Sequence, residues 1–392
     1  MSQRWTILAL LFGVRVTMAF QFQAVAALSP YIMEYHGVGL ADIGLLIGLY
    51  LSPGIVIAMP GGAIGKRFGD KQAVAFGMAL MLAGGIMMIM MPGWYAQVGG
   101  RLIAGTGGVI LNVLMSKMVT DWFRDGGLAT AMGIFVNSWP VGIALALLVL
   151  PPIAEASGLA ATMGLVVTLV GAGLAALVAV YRDPPQQVSA AAVPTANLRG
   201  VALTGVVLAG SIWGLYNTAL GMIFGFGPAM LVERGWSPTE ASSTTSIVLW
   251  LVALSVPLGG FLADRTGSRD MILIAGLLGF ALLMAVAPGA DWAIATFIAL
   301  GLVGGLAAGP IMSLPAAMMQ PHNRAFGMGV FFTIYYLCIF AGPVVAGTLA
   351  ETFGNAGVTF SFGAALLVFC GLCLAAFRRL EQRPAALAAA SQ

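Results

Sequence analysis

The chain has 392 residues, of which 60% are hydrophobic and 8% charged, with a formal net charge of +3. A soluble domain carries about 25% charged residues, so this composition excludes a water-soluble globule of such size. The small, scattered excess of cations excludes a nucleic-acid-binding role. The three cysteines, Cys338, Cys370 and Cys373, all lie in apolar stretches without the spacing of a disulfide framework or a zinc site.

Apolar runs between charged or Pro/Gly breaks predict twelve membrane spans, each about 20 residues long. The first six lie near 5–29, 40–60, 72–92, 95–119, 126–150 and 157–181. Arg4 precedes a first run that is longer than a signal-peptide core and lacks a small-x-small exit, so this span is expected to be retained. Residues 182–199 form a polar, Pro/Ala/Gln-containing linker between an N-terminal six-helix bundle (1–181) and a C-terminal one (200–378). The second six spans lie near 200–228, 240–263, 271–289, 292–318, 325–350 and 356–377, followed by an Ala-rich tail (379–392) that is expected to be mobile.

Alternating the loops of these spans puts Arg4, Lys66, Arg67, Lys71, Arg124, Arg182, Arg199, Arg265, Arg269, Arg324, Arg378, Arg379 and Arg383 on one side. The other side receives Arg234 beside Glu34, Asp42, Glu155, Glu233, Glu240, Asp291 and Glu351. The positive-inside rule then places both termini and the linker in the cytoplasm. Short loops without an N-x-[ST] acceptor point to a bacterial inner membrane.

The two halves repeat one another. Gly62-Ala-Ile-Gly-Lys-Arg-Phe-Gly-Asp-Lys71 aligns with Gly260-Phe-Leu-Ala-Asp-Arg-Thr-Gly-Ser-Arg269, and positions 260 and 62 differ by 198. The same offset carries Pro30 to Pro228, Gly37 to Gly235 and Asp42 to Glu240, as in transporters built from internal repeats.

The loop after the second span, and its better-matching copy after the eighth, resemble the G-x-x-x-D-[RK]-x-G-[RK]-[RK] signature of the major facilitator superfamily. Gly62, Arg67, Gly69 and Lys71 fit in the first copy; Gly260, Asp264, Arg265, Gly267 and Arg269 fit in the second. Span four adds R-x-x-x-G-x-G as Arg101-Leu-Ile-Ala-Gly-Thr-Gly107. The resemblance covers essentially the whole chain. It implies an all-α membrane protein whose two six-helix bundles are related by pseudo-two-fold symmetry, working by alternating access. It also implies conformational gating by Gly62, Arg67, Gly69, Gly260, Asp264, Arg265, Gly267 and Arg269. The first loop departs from the pattern by exchanging charge signs at Lys66 and Asp70. Within the superfamily, an Arg in span one with a Pro near its outer end resembles the group that includes cyanate, nitrate/nitrite and nitroimidazole transporters. In that group Pro directly follows the Arg, where this chain has Val16. The Gly ladder ending in Gly-Pro, typical of antiporters in span five, is replaced here by Gly133-Ile-Phe-Val-Asn-Ser-Trp-Pro-Val-Gly142.

Arg15 and Arg101 are the charges placed well inside spans, with Lys117 near enough to an end to snorkel, and no span contains an internal acid. An Arg at the bilayer centre costs about 3 kcal/mol or more unless it meets a wet cavity or an anion, so an anionic small-molecule substrate is expected. At about 100° per residue Arg15 shares a helix face with Ala19, Phe22 and Gln23, whereas Gln21 points elsewhere and is assigned to packing. Arg101 continues along Gly105, Gly108 and Asn112, where it either contacts substrate or braces span one. At the corresponding places the second half has Trp213 and Gly301, so the charge is confined to one half. Trp213, Asn217 and Phe224, with Tyr216 beside them, form an aromatic face suited either to a planar ligand or to interhelical packing. Asn137 in span five, beside Ser138, Trp139 and Pro140, and Thr333 and Tyr336 in span eleven complete the candidate substrate-binding set.

The sequence therefore predicts a monomeric carrier, not an enzyme, without cofactor or metal, that moves a small organic or inorganic anion: a monocarboxylate, a nitrate-like ion or an aromatic acid. Both histidines, His36 and His322, lie outside the span interiors. Coupling to protons would thus use loop acids or a proton carried with substrate, and exchange against a second anion stays open. Export of hydrophobic drugs is the alternative, favoured by the many Met and aromatic residues. A membrane sensor is a remote third, since the chain has no output domain, and a membrane enzyme would lack a Ser/His/Asp set, a metal cluster or a P-loop.

Overall fold

A computed structural model describes residues 3–58, 67–91, 93–124, 126–184, 198–320 and 323–390. Among the described residues every regular element is helical. Eleven helical stretches among the described residues are long and apolar enough to cross a bilayer. The longest, Leu128–Val180, has 53 residues and a non-helical break at Gly158 (φ 78°, ψ 170°). At about 1.5 Å per residue it would far exceed a hydrocarbon core of about 30 Å, so the break divides it into spans five and six and brings the total to twelve.

Proline and glycine account for the other irregularities. Span one, Gln3–Ala27, is prolonged by Ser29–His36 after an interruption ahead of Pro30, whose ring cannot continue an unbroken ladder. Span two is split by Pro53 into Leu40–Leu51 and Gly54–Ile57. Spans three and four are Asp70–Met90 and Trp94–Trp122. Span seven, Gly200–Glu233, continues through Pro228, where the sequence reading ends it, and span eight is Pro238–Thr266. Span nine is Arg269–Val286, and span ten comprises Ala293–Gly304 and Ala308–Ala317, joined by tight turns around Gly305. Spans eleven and twelve are Arg324–Phe353 and Val358–Ala390, the latter running into residues that the sequence assigns to the tail.

The repeat read from the sequence has a backbone counterpart. Gly37 and Gly235 have φ of 65° and 87°, and Gly69 and Gly267 have φ of 83° and 65°. Each pair is 198 residues apart and occupies the left-handed region, which only glycine enters without steric cost.

Within the first half, span one lies along the Leu128–Val180 helix, span three packs on span four, and span two also meets span four. Within the second, span seven packs on spans eleven and twelve, eight on ten, and nine on twelve. Across the halves, span two meets eleven, the Leu128–Val180 helix meets eight, and one touches seven. These cross contacts include the acidic ends of the helices: Ala41 N–H donates to Glu351 Oε2 at 3.0 Å and Thr239 Oγ1 to Glu155 Oε1 at 2.7 Å. Between spans two and eleven they continue to mid-depth, where the Tyr336 ring covers Gly54.

Lipid tails give two apolar helices little reason to associate, so close backbone approach must supply the attraction. A Cβ on Gly107 would sit 2.9 Å from the carbonyl carbon of Gly77, and one on Gly100 would sit 2.7 Å from Gly84 O. Spans three and four therefore touch backbone to backbone. Gly107→Val is expected to force them apart and destabilise the protein by about 1–3 kcal/mol, read as a lower melting temperature of the detergent-purified protein.

Candidate functional site

A central cavity of about 1230 Å3, counting its open mouth, lies between the two halves and is lined by residues from spans one, two, four, five, seven, eight, ten and eleven. Arg15 is its only charged lining residue among those described. Its Nη1 donates to Phe135 O at 3.2 Å and its Nη2 to Asn112 Oδ1 at 2.9 Å, with the guanidinium carbon 4.7 Å from the centre of the Phe135 ring. The Phe135 carbonyl also accepts from Ser138 Oγ, one residue before Trp139-Pro140, where the missing proline N–H leaves span five short of a helix bond. The Arg15 Nε is buried without a partner among the described residues.

A guanidinium only donates, so Asn112 must present its carbonyl oxygen to Arg15. The Asn112 amide is then turned to donate, and Nδ2 lies 3.2 Å from Tyr336 Oη. Since Tyr336 accepts there, its own hydroxyl proton remains available to a ligand. Arg15, Asn112 and Tyr336 thus form a chain whose free functions are donors.

Aromatic rings make up much of the remaining wall. Trp213 stacks on Tyr216 (5.8 Å between centres, 23°) and on Tyr335 (6.3 Å, 25°), while Phe22 packs on Trp139 at 5.1 Å and edge-on to Phe224 at 6.2 Å. Tyr216 contributes only its ring, because its hydroxyl donates to Gly304 O at 2.6 Å and ties span seven to span ten. Asn217 donates through Nδ2 to Trp213 O at 2.8 Å, and Thr218 Oγ1 is buried beside it with no partner among the described residues.

Of the ten substrate-site candidates from the sequence, the cavity gathers Arg15, Asn112, Asn137, Trp213, Tyr216, Asn217 and Tyr336. Three lie off it. Gln23 is buried and donates through Nε2 to Phe224 O at 2.6 Å, a bond from span one to span seven. Thr333 does not line the cavity, and its hydroxyl oxygen is buried. Arg101, 1% exposed, points into the junction of spans one, two and four. There Nε donates to Leu46 O at 2.9 Å, Nη1 to Gln21 O at 3.0 Å and Nη2 to Phe22 O, with the guanidinium 4.5 Å from the Tyr50 ring centre. The bracing role is the one its geometry fits. Gly105, one turn on, abuts the Tyr50 backbone and brings those carbonyls within reach. Gln21 donates to Met81 O and accepts from the Tyr50 hydroxyl, away from the cavity lining. Tyr335 and Thr218 line the cavity without having been singled out in the sequence. Each neighbours a chosen residue, and only the three-dimensional packing shows that both of a pair face inward.

The loop candidates lie at the basic ends of the helices. Gly62 falls outside the described residues. Arg67 is exposed against Phe68, Gly69 and Gly267 cap helices, and Gly260 packs against Gly309. Arg265 lies over Phe261, and Arg269 pairs with Asp264 at 3.2 Å with both side chains largely exposed. Asp70, at the charge-exchanged position, pairs with Lys117, which is also 3.2 Å from Asp121; Lys71 donates to Val178 O and Tyr181 O at 2.9 Å. Asp70 and Lys71 of the first loop are therefore spent on spans four and six of their own half.

The family model "Major Facilitator Superfamily" matches residues 11–229 and again 203–392. The chain belongs to the major facilitator superfamily. Relatives include an uncharacterised MFS-type transporter of Mycobacterium tuberculosis, 26% identical over 89% of this chain and 80% of that protein. A probable nitrate/nitrite transporter of the same organism is 25% identical over 88% of each, and the 2-nitroimidazole transporter of Escherichia coli is 24% identical over 95% and 96%. Among solved structures, a bacterial homologue of the human lysosomal transporter Spinster, inward-facing and unoccupied, superposes with a TM-score of 0.73 at 16% identity, covering 97% of each chain. The protein is thus a multi-pass membrane transporter of this superfamily, and not an enzyme.

Arg15 and Arg101 differ in what removal leaves behind. Arg101→Ala strips three buried carbonyls of a shared donor and opens a void, expected to cost about 1–3 kcal/mol or more. Arg101→Lys restores little, since an ammonium lacks the fork that reaches three acceptors. Arg15→Ala leaves groups that face a cavity open to water. Thermal unfolding in detergent should therefore show a clear drop for both Arg101 variants and a much smaller one for Arg15→Ala; equal melting temperatures would contradict the bracing role.

Proposed function

We propose that this transporter carries a small organic or inorganic anion by alternating access, with Arg15 holding the negative charge. The observation that carries this reading is a guanidinium lining the central cavity with no carboxylate beside it among the described residues. Fourteen acids occur in the chain, and the sequence puts none in the interior of a span, only at span ends or in loops, so a substrate anion is the natural counter-charge. Asn112 and Tyr336 would orient the anion's oxygens, with Asn137 at the cavity wall. Arg101 is left out of the binding set on its geometry.

The same reading makes 1–181 and 200–378 the two rocking bundles, joined by 182–199. The basic helix ends, with both termini, would face the cytoplasm of a bacterial inner membrane. Because the cross-half contacts described above reach from the acidic ends to mid-depth, the conformation would be inward-facing, with Gln23 and the paired glycines of spans two and eleven closing the outer side. Proton coupling has no internal acid to use, which leaves facilitated movement, exchange, or a proton travelling with the substrate. Export of flat hydrophobic compounds is a second reading, favoured by the aromatic lining; it leaves Arg15 without a role.

In proteoliposomes, at least one of nitrate, lactate and benzoate should be taken up. A lost charged hydrogen-bond pair is worth about 1.5–3 kcal/mol, so Arg15→Ala should lower that uptake roughly tenfold or more while the purified variant keeps its elution profile. Undiminished uptake by the variant would sink the assignment.

A further inference from the structure

We propose that the cavity selects a planar monocarboxylate, a single carboxylate on an aromatic or conjugated body. This rests on the anion-carrier reading of the site and goes beyond it, because that reading is equally satisfied by an inorganic ion or a sugar acid. Three features of the cavity separate these. The first is charge: Arg15 is the one charged group among the described lining residues, so a dianion would bring a second charge to an apolar wall with nothing to meet it.

The second is the donor supply. Arg15 spends Nη1 and Nη2 on Phe135 O and Asn112, and keeps a buried Nε–H free. Tyr336 keeps its hydroxyl proton because it accepts from Asn112. Two donors at one end of the cavity match the two oxygens of one carboxylate. Beside the aromatic row, the Tyr216 hydroxyl is spent on Gly304 and the Asn217 Nδ2 on Trp213.

The third is shape. Trp213, Tyr216 and Tyr335 form a stacked row with interplanar angles of 23° and 25°, and Phe22 with Trp139 lines the same cavity from the first half. Nearly parallel rings offer a flat π face against which a planar body stacks and a puckered ring does not. A nitrate-sized ion would leave that surface bare.

The test uses thermal stabilisation of the purified full-length protein, titrated with benzoate, 2-naphthoate, cyclohexanecarboxylate, benzamide, phthalate, glucuronate and nitrate. Benzoate or naphthoate should bind at least about tenfold tighter than benzamide, which lacks the charge, and severalfold tighter than cyclohexanecarboxylate, which lacks the flat face. Arg15→Gln should remove the preference for benzoate over benzamide, and Trp213→Leu the preference for benzoate over cyclohexanecarboxylate, while Trp213→Leu retains the dependence on charge. Tighter binding of nitrate, glucuronate or phthalate, lost in Arg15→Gln, would overturn the planar monocarboxylate and leave the anion carrier standing. Stabilisation only by neutral compounds, unchanged in Arg15→Gln, would overturn both.

Discussion

A positive charge held where lipid surrounds the fold has to be met by something, and this protein meets it in two different ways. Arg101 is enclosed: three backbone carbonyls and the faces of Tyr50 and Phe22 surround its guanidinium, so the charge is spread over fixed dipoles that cannot leave. Arg15 is only half enclosed. One carbonyl, one side-chain amide and one ring hold it in place, and its buried Nε–H has no partner among the described residues. The first arrangement stiffens a helix junction. The second leaves a buried donor unsatisfied, and that deficit is what the proposed anion would meet.

Positioning that deficit depends on how closely the helices can approach. Glycines at 77 and 107 let spans three and four meet at their backbones, and Gly105 does the same for spans four and two. This fixes span four, which carries both Arg101 and Asn112, against spans one and two. Across the halves the same device recurs with a different consequence. Gly44 meets the Pro343 backbone and Gly347 meets that of Ala41, so at these positions spans two and eleven touch backbone to backbone. A contact made of smooth backbone can separate and re-form with little repacking, which suits a seam that the proposed cycle must open.

Much of this was legible in the sequence. The twelve spans follow from where charged, Pro and Gly residues interrupt apolar runs, and the repeat at offset 198 reappears in the left-handed glycines of equivalent turns. Arg15, Asn112 and Tyr336 could be singled out because a polar group in an apolar helix is conspicuous. Arg101 was equally conspicuous, but periodicity gives the face of a helix without saying which neighbour that face meets, and its stripe of Gly105, Gly108 and Asn112 turns from a packed junction to the cavity within three turns. Gln23 fell on the Arg15 face and yet bonds to span seven, because one residue of offset along the stripe separates the cavity wall from the closed seam. Tyr335 and Thr218 carried no signal of their own, being ordinary residues beside chosen ones. The charge exchange at Asp70 was visible, but its partner Lys117 on span four was not, nor were the span-six carbonyls that Lys71 reaches.

The Asn112–Tyr336 bond gives the site a means of acting on the fold. Asn112 belongs to span four of the first half and Tyr336 to span eleven of the second, and Tyr336 also covers Gly54 in span two. An anion seated at Arg15 and accepting from the Tyr336 hydroxyl would touch both halves at once, beside the point where the cross-half contact between spans two and eleven reaches mid-depth. A ligand can bias a conformational equilibrium only through interactions that differ between the states. An oxygen shared between donors on opposite bundles is such an interaction, because its strength changes as the bundles rock, whereas an anion held by Arg15 alone would move with the first half and leave the balance where it was. On this reading Tyr336 matters less for affinity than for making occupancy of the cavity felt across the seam.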